Sequence, residues 1–255
     1  IAQKTLIDGR KVPLFPGVFG IFGHGNVACL GQALEENQKD LPTWRGHHEQ
    51  NMALTGIAYS RAKRRKQIFV ATSSVGPGST NMVTAAAVAM SNRIPILFLP
   101  GDTFSSRLPD PVLQQVEHFN NPGTTANDAF KPVTRYFDRI TRPEQIISSL
   151  QQAVQVMLDP ADCGPACISL SQDVQGEVYD YPEDFFKERI HTIRRSRPDD
   201  FQIKEAADLI KKSKKPIIIS GGGVFYSDAT EELSAFAQKH NIPVTQTVMG
   251  YSTMK

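Results

Sequence analysis

The sequence predicts an α/β fold with a mainly parallel sheet and helices on both faces. Three observations carry that expectation. Short apolar runs rich in β-branched residues alternate with helical patterns, and each run ends in small or turn-forming residues. Repeated strand-then-helix order also demands crossover connections, which is the way parallel strands are joined.

The elements follow in chain order. Val18-Phe19-Gly20-Ile21-Phe22 reads as a strand, Gly23-His24-Gly25-Asn26 as a turn, and residues 27–36 as a helix. A short strand at 43–45 leads into the corner Gly46-His47-His48-Glu49-Gln50, and a helix is expected over 49–63. Residues 67–72 read as a buried strand, 73–79 as a tight loop, and 80–90 as an alanine-rich helix able to lie close to a sheet. The strand at 94–99 tolerates Pro95 because the proline stands near its start. A long loop with a short helix over 109–115 comes next, then an edge element at 131–136. A helix reaching residue 158 carries Pro143 at an early position, where its missing donor costs nothing. Residues 166–170 close the series as a strand.

After Gln172 the composition shifts. Residues 176–200 mix acidic, aromatic, proline and arginine residues without a clear period, which reads as a linker wrapped over a first domain spanning 1–175. A new pattern starts at 201: a helix to 212, a buried strand at 216–220, a Gly221-Gly222-Gly223 turn, a helix over 228–240 and a strand at 242–245. Two strands make a poor core, so 201–255 is expected to be part of a second α/β domain continuing beyond Lys255.

Composition narrows the function classes. A formal net charge of +2 on 255 residues argues against a nucleic-acid binder, whose basic footprint is larger and clustered. The one basic run, residues 61–66, fits the cation-favoured end of a helix. No apolar run approaches a bilayer span and no signal peptide opens the chain, so no membrane partner is expected. The three cysteines, Cys29, Cys163 and Cys167, form no disulfide framework or metal-ligand pattern, and a reduced, cytoplasmic setting is the simplest reading.

Chemistry concentrates at strand ends. Gly76-Pro77-Gly78, within "TSSVGPGSTN", lies between a strand and a helix, where glycines allow close backbone approach and a helix start offers free donors. The same glycines also suit a plain tight turn, and neither a P-loop nor a GxGxxG fingerprint is present. Glu49 is either a reactive acid or an ordinary helix-start charge. His24 could face a substrate or only solvent, and His47 and His48 suit structural hydrogen bonding. The triple glycine at 221–223 fits a turn or a nucleotide contact.

The ordered set "GHHEQ", "TSSVGPGSTN" and "NRIPILFLPGD" resembles the pyrimidine-binding domain of the acetolactate synthase-like thiamine-diphosphate enzymes. The runs "IFGHGNV", "DTFSSRLPDPVLQQVE", "NDAFKPVTRYFDRITRPEQ" and "SKKPIIISGGG" extend the resemblance over essentially the whole chain. They point to members that open a polyhydroxylated cyclic dione hydrolytically in inositol breakdown. The resemblance implies that Glu49, in an apolar and buried pocket, bonds ring nitrogen N1′ of the cofactor and favours the imino form, so that thiazolium C2 loses its proton. It also implies that Gly76, Pro77, Gly78 and Asn81 bind the cofactor, that His24 and Gln114 (with Gln115 as the alternative) face the substrate, and that the second domain is Rossmann-like. Diphosphate and Mg²⁺ are expected to be anchored by a Gly-Asp-Gly motif in a C-terminal domain. No Gly-Asp-Gly occurs here, and Pro100-Gly101-Asp102 is no substitute. The resemblance further implies a homodimer or larger assembly of the intact enzyme. A carboligase joining two keto acids and a non-catalytic nucleotide-binding module are the other readings.

Overall fold

A computed structural model describes residues 1–109 and 111–254. Its internal contacts divide the chain into two compact units, Ile1–Ile193 and Arg194–Lys255.

The first unit opens with an antiparallel hairpin, β1 (Gln3–Ile7) and β2 (Arg10–Pro13). Its turn is Asp8-Gly9, both at positive φ, the pairing that a two-residue hairpin loop favours. This hairpin was absent from the sequence expectation although Asp-Gly announces it. The main sheet follows: β3 (Val18–Gly20), β4 (Thr43–Arg45), β5 (Val70–Ser73), β6 (Leu97–Asp102), β7 (Tyr136–Ile140) and β8 (Ala166–Ser171). Its order is β4-β3-β5-β6-β8-β7, and every neighbouring pair is parallel.

Strand periodicity explains why both faces need covering. Val70, Leu97, Ala166 and Ile168 point into one apolar cluster, whereas Ala71, Phe98 and Cys167, one residue along, point into the other. The connecting helices are α1 (Gln32–Glu36), α2 (Glu49–Ala62), α3 (Pro77–Thr80), α4 (Val83–Asn92) and α5 (Gln145–Leu158). Leu34 of α1 and Ala153, Val154 and Met157 of α5 fill the first cluster. Met52, Ala53 and Ile57 of α2 and Ala85, Ala86 and Ala89 of α4 fill the second. Small alanines let α4 approach closely, as its composition predicts.

Several expectations need correction. Residues 27–31 form a π-helical turn ahead of α1. The short helix expected over 109–115 is not formed: Asp110 lies outside the described residues, and 111–115 run through bends and turns. The edge strand falls at 136–140 because residues Ala126–Val133 form a 3₁₀ helix, started by a capping box between Thr125 and Asp128. Residues 176–193 pack within the first unit, and they include α6 (Glu183–Phe186) and β9 (Arg189–His191), which pairs in parallel with β1. The segment expected as a linker over 176–200 therefore contains a strand that returns to the N-terminal hairpin.

The second unit contains α7 (Asp200–Lys212), β10 (Ile218–Ser220), α8 (Gly222–Tyr226), α9 (Thr230–His240) and β11 (Val244–Gln246), with β10 and β11 parallel. The triple glycine begins a helix instead of forming a plain turn, with Gly221 as its cap. In this chain Ile217 and Ile219 are exposed and Ser220 is buried, with β11 as the one described strand beside β10.

Cys163 and Cys167 are buried and unpaired, and Cys29 is half-buried. Burial pushes the Cys163 thiol up to about 11 and the Cys167 thiol well above its ordinary value. A thiol reagent at neutral pH is therefore expected to modify Cys29 in the folded chain and to reach the other two only on unfolding. Mass analysis of labelled peptides with and without urea checks this. Among the described residues no helix is long and apolar enough to cross a membrane.

Candidate active site

In an open parallel sheet, ligands bind beyond the carboxyl ends of strands where the connections diverge to opposite sides. Here that point lies between β3, whose connection leads outward to β4, and β5, whose connection leads the other way to β6. A cavity of about 760 Å³ opens there. Its walls come from the loop after β3 (His24), the start of α2 after β4 (Glu49), and the loop after β5 with α3 (Pro77, Gly78, Asn81); Gln114 comes from the long loop after β6.

Glu49 is the first residue of α2, because His48 before it is extended (φ −156°, ψ 127°) and ends the strand geometry. Asn81 Nδ2 donates to Glu49 Oε2 at 2.7 Å. A Cβ on Gly78 would lie 3.5 Å from Glu49 Oε1, so glycine keeps open the space beside that oxygen. The Glu49 side chain is partly buried in this chain and faces the cavity. His47 and His48 are both exposed, and His48 Nε2 stands 3.5 Å from Asn81 Nδ2.

Asn26 positions His24. It is 2 % exposed; its Oδ1 accepts from the Gly23 N–H at 3.0 Å, and its Nδ2 donates to Ile21 O at 3.2 Å and to Thr72 Oγ1 at 3.0 Å. Thr72 Oγ1 in turn donates to Leu99 O at 2.7 Å, so one buried amide ties the ends of β3, β5 and β6 together. Asn26 was missed by the sequence reading; an asparagine inside a Gly-rich turn was the available signal. Backbone packing adds to this, since a Cβ on Gly101 would lie 2.5 Å from Gly25 O.

Of the two glutamines, Gln114 lines the cavity. Gln115 is buried, with its Oε1 accepting from the Phe104 N–H at 3.2 Å and its Nε2 donating to Gln172 Oε1 at 3.5 Å. Gly76 does not line the cavity. It stands at φ +67° behind the wall, against the backbone of Gln114.

Beyond β6 the sequence reading missed a charged network. Asp102 is 1 % exposed; its Oδ2 accepts from Arg139 Nε at 2.8 Å and Ser169 Oγ at 2.5 Å, and its Oδ1 accepts from the Thr103 N–H at 2.8 Å. Arg139 also donates to Asp128 Oδ1 at 2.9 Å and Thr125 Oγ1 at 2.8 Å. Asp102 is thus committed to an ion pair with Arg139. Among the described residues no cluster of three or more His, Cys, Asp or Glu is arranged to hold a metal ion.

Two carboxylates give the fold an acid limit. Burial opposes ionisation of Asp173, but the N–H groups of Ser106, Ser105 and Val174 outweigh it and hold its carboxyl below the usual aspartate range. Burial likewise opposes ionisation of Asp128, and Lys131, the Thr125 N–H and Arg139 outweigh it. For a carboxyl depressed on folding, the stabilisation is complete above the unfolded value of about 3.9 and is lost as pH falls through the lower folded value. The melting temperature is therefore expected to fall on acidification below about pH 4. An Asp173→Asn variant, less stable at neutral pH, should show a flatter acid limb in the same scan.

Comparison with known proteins identifies the family. Residues 203–255 match the thiamine pyrophosphate enzyme central domain, and residues 16–122 the thiamine pyrophosphate enzyme N-terminal TPP binding domain. The chain therefore belongs to the thiamine pyrophosphate enzymes. It is 54 % identical over 253 residues to a 3D-(3,5/4)-trihydroxycyclohexane-1,2-dione hydrolase of Clostridium tetani, covering 99 % of this chain and 39 % of that one. It is 51 % identical over 253 residues to the protein of that name in Bacillus subtilis, covering 99 % and 40 %. The chain thus spans about two fifths of the length of the curated relatives it matches. A solved thiamine diphosphate-dependent 4-hydroxybenzoylformate decarboxylase of Rhodococcus jostii RHA1 superposes with a TM-score of 0.76 at 20 % identity, covering 91 % of this chain and 41 % of that one, which supports the fold.

Proposed function

We propose that this chain is the N-terminal part of a thiamine-diphosphate-dependent hydrolase. The whole enzyme cleaves the carbon–carbon bond between the two carbonyl carbons of 3D-trihydroxycyclohexane-1,2-dione, giving 5-deoxy-D-glucuronate in myo-inositol degradation. The observation that carries the reading is the convergence of Glu49, Asn81, Gly78, Pro77, His24 and Gln114 on one cavity at the divergence point of the sheet. The names of the relatives, at about half identity across this chain, support the substrate.

The residues present fit the pyrimidine half of the cofactor. Glu49 offers one oxygen beside the space that Gly78 leaves open, while Asn81 restrains the other. In this reading Glu49 holds and returns the proton at pyrimidine N1′, and Pro77, Gly78 and Asn81 form the surrounding wall. Bound thiamine diphosphate supplies an electron sink for the carbon–carbon cleavage. His24 and Gln114, exposed at the cavity, supply hydrogen bonds to the hydroxyls of the substrate. The diphosphate and Mg²⁺ are anchored by residues outside this chain, and 201–255 is part of the central domain, joined to the pyrimidine-binding domain of 1–175 by 176–200, whose first part packs on that domain. The intact enzyme works as a homodimer or larger assembly in the cytoplasm.

Product analysis of the full-length enzyme tests the proposal. The cyclic dione is expected to be opened and pyruvate left unligated. Acetolactate from pyruvate would identify a carboligase instead. Thermal shifts with ADP and not with thiamine diphosphate would identify a nucleotide-binding module.

A further inference from the structure

In the loop after β6, among the described residues of 103–124, Arg107 (φ 56°), Gln114 (φ 64°) and Val116 (φ 55°) stand in the left-handed region. For a β-branched residue such as Val116 this conformation is a genuine outlier, and it persists only where neighbours over-determine it. Gly76 is one such neighbour. A Cβ there would overlap the carbonyl oxygen of Gln114 and lie 3.1 Å from Val116 Cγ2. Gln115, between them, is held from another side by its hydrogen bonds to Phe104 and Gln172. The loop backbone is therefore gripped on both sides at the residue whose side chain reaches the cavity. Gly76 itself stays out of that cavity.

We propose that Gly76 is a positioning residue that acts through Gln114. Its missing side chain seats the 112–116 backbone, and that seat sets the Gln114 amide over the reacting substrate. Gly76 therefore makes no contact with the cofactor. The inference rests on the reading of the cavity as the reaction centre for the cyclic dione.

A double-mutant cycle in the full-length enzyme tests it. Gly76→Ala and Gln114→Ala are each expected to lower kcat/KM for the dione by about tenfold, and the double variant should be no worse than the poorer single one within about twofold, because both remove one contact. Thiamine diphosphate affinity by fluorescence titration should stay within about threefold of wild type in Gly76→Ala. Trypsin cleavage after Arg107, an exposed site in the loop, should accelerate in Gly76→Ala but not in Gln114→Ala. Losses that multiply, cofactor affinity that collapses, or a cleavage rate left at the wild-type value would each overturn the proposal. Should Gly76→Ala not fold, Gln115→Leu removes the second hold on the same backbone, its hydrogen bonds to Phe104 and Gln172. It is expected to speed cleavage and lower kcat/KM, and no change in either would overturn the proposal. Proteolysis does not depend on the reaction. Faster cleavage in an enzyme that ignores the dione would therefore keep the seat and remove the assigned reaction.

Discussion

Replacing Glu49 by Gln in the full-length enzyme is expected to lower kcat by about 10²–10⁴-fold, the range that a positioned proton carrier contributes. The substitution is nearly isosteric. The amide oxygen can still accept from Asn81 Nδ2, which lies 2.7 Å from Glu49 Oε2, so the start of α2 should keep its geometry. What the amide loses is the ability to hold and release a proton. Circular dichroism and melting should therefore match wild type while turnover collapses. Glu49→Asp keeps the chemistry but shortens the reach by one methylene, and an intermediate loss is expected. A Glu49→Gln enzyme with wild-type turnover would refute the proposed role of the acid.

Arg139→Met is expected to destabilise the chain by about 3–5 kcal/mol, because it strands a buried carboxylate. Asp102 is 1 % exposed, so water cannot replace the guanidinium, and Ser169 and the Thr103 N–H are its remaining donors. The same substitution removes the guanidinium from Asp128 Oδ1 and Thr125 Oγ1 at the start of the 3₁₀ helix, where Lys131 and the capping box remain. Urea denaturation should show a lower midpoint with an unchanged slope. Arg139→Met combined with Asp102→Leu should recover part of the loss, since no charge then remains buried, although the Thr103 N–H still lacks its acceptor. An Arg139→Met midpoint equal to wild type would show that the ion pair contributes nothing net.

The main sheet was readable because its strands are short apolar runs closed by turn residues, and apart from the edge strand at 136–140 each run was placed near its observed position. The GPG loop and the GHHEQ corner were readable for a related reason: local chemistry at a strand end is written in consecutive residues. What escaped the reading depends on distant partners. The hairpin β1–β2 gains a third strand from residues 189–191, almost the whole length of the first unit away. The 3₁₀ helix at 126–133 displaced an expected strand because Asp128 caps it and pairs with Arg139. Gln114 and Gln115 are identical in type and adjacent in sequence. Only the position of Phe104 and Gln172 around one of them, and of the cavity beside the other, tells their environments apart.

By itself the sequence determined the alternation of strands and helices, the two-faced sheet and the placement of an acid, a glycine turn and a histidine at three strand ends. These follow from side-chain periodicity and backbone preference, which act over a few residues. The tertiary structure decided that those ends meet in one cavity, that Glu49 is partly open to it, that Asn26 ties three strands together, and that Gly76 bears on a loop instead of on the cavity. Such facts arise from contacts between residues far apart in the chain, and they exist only once packing has brought those residues together.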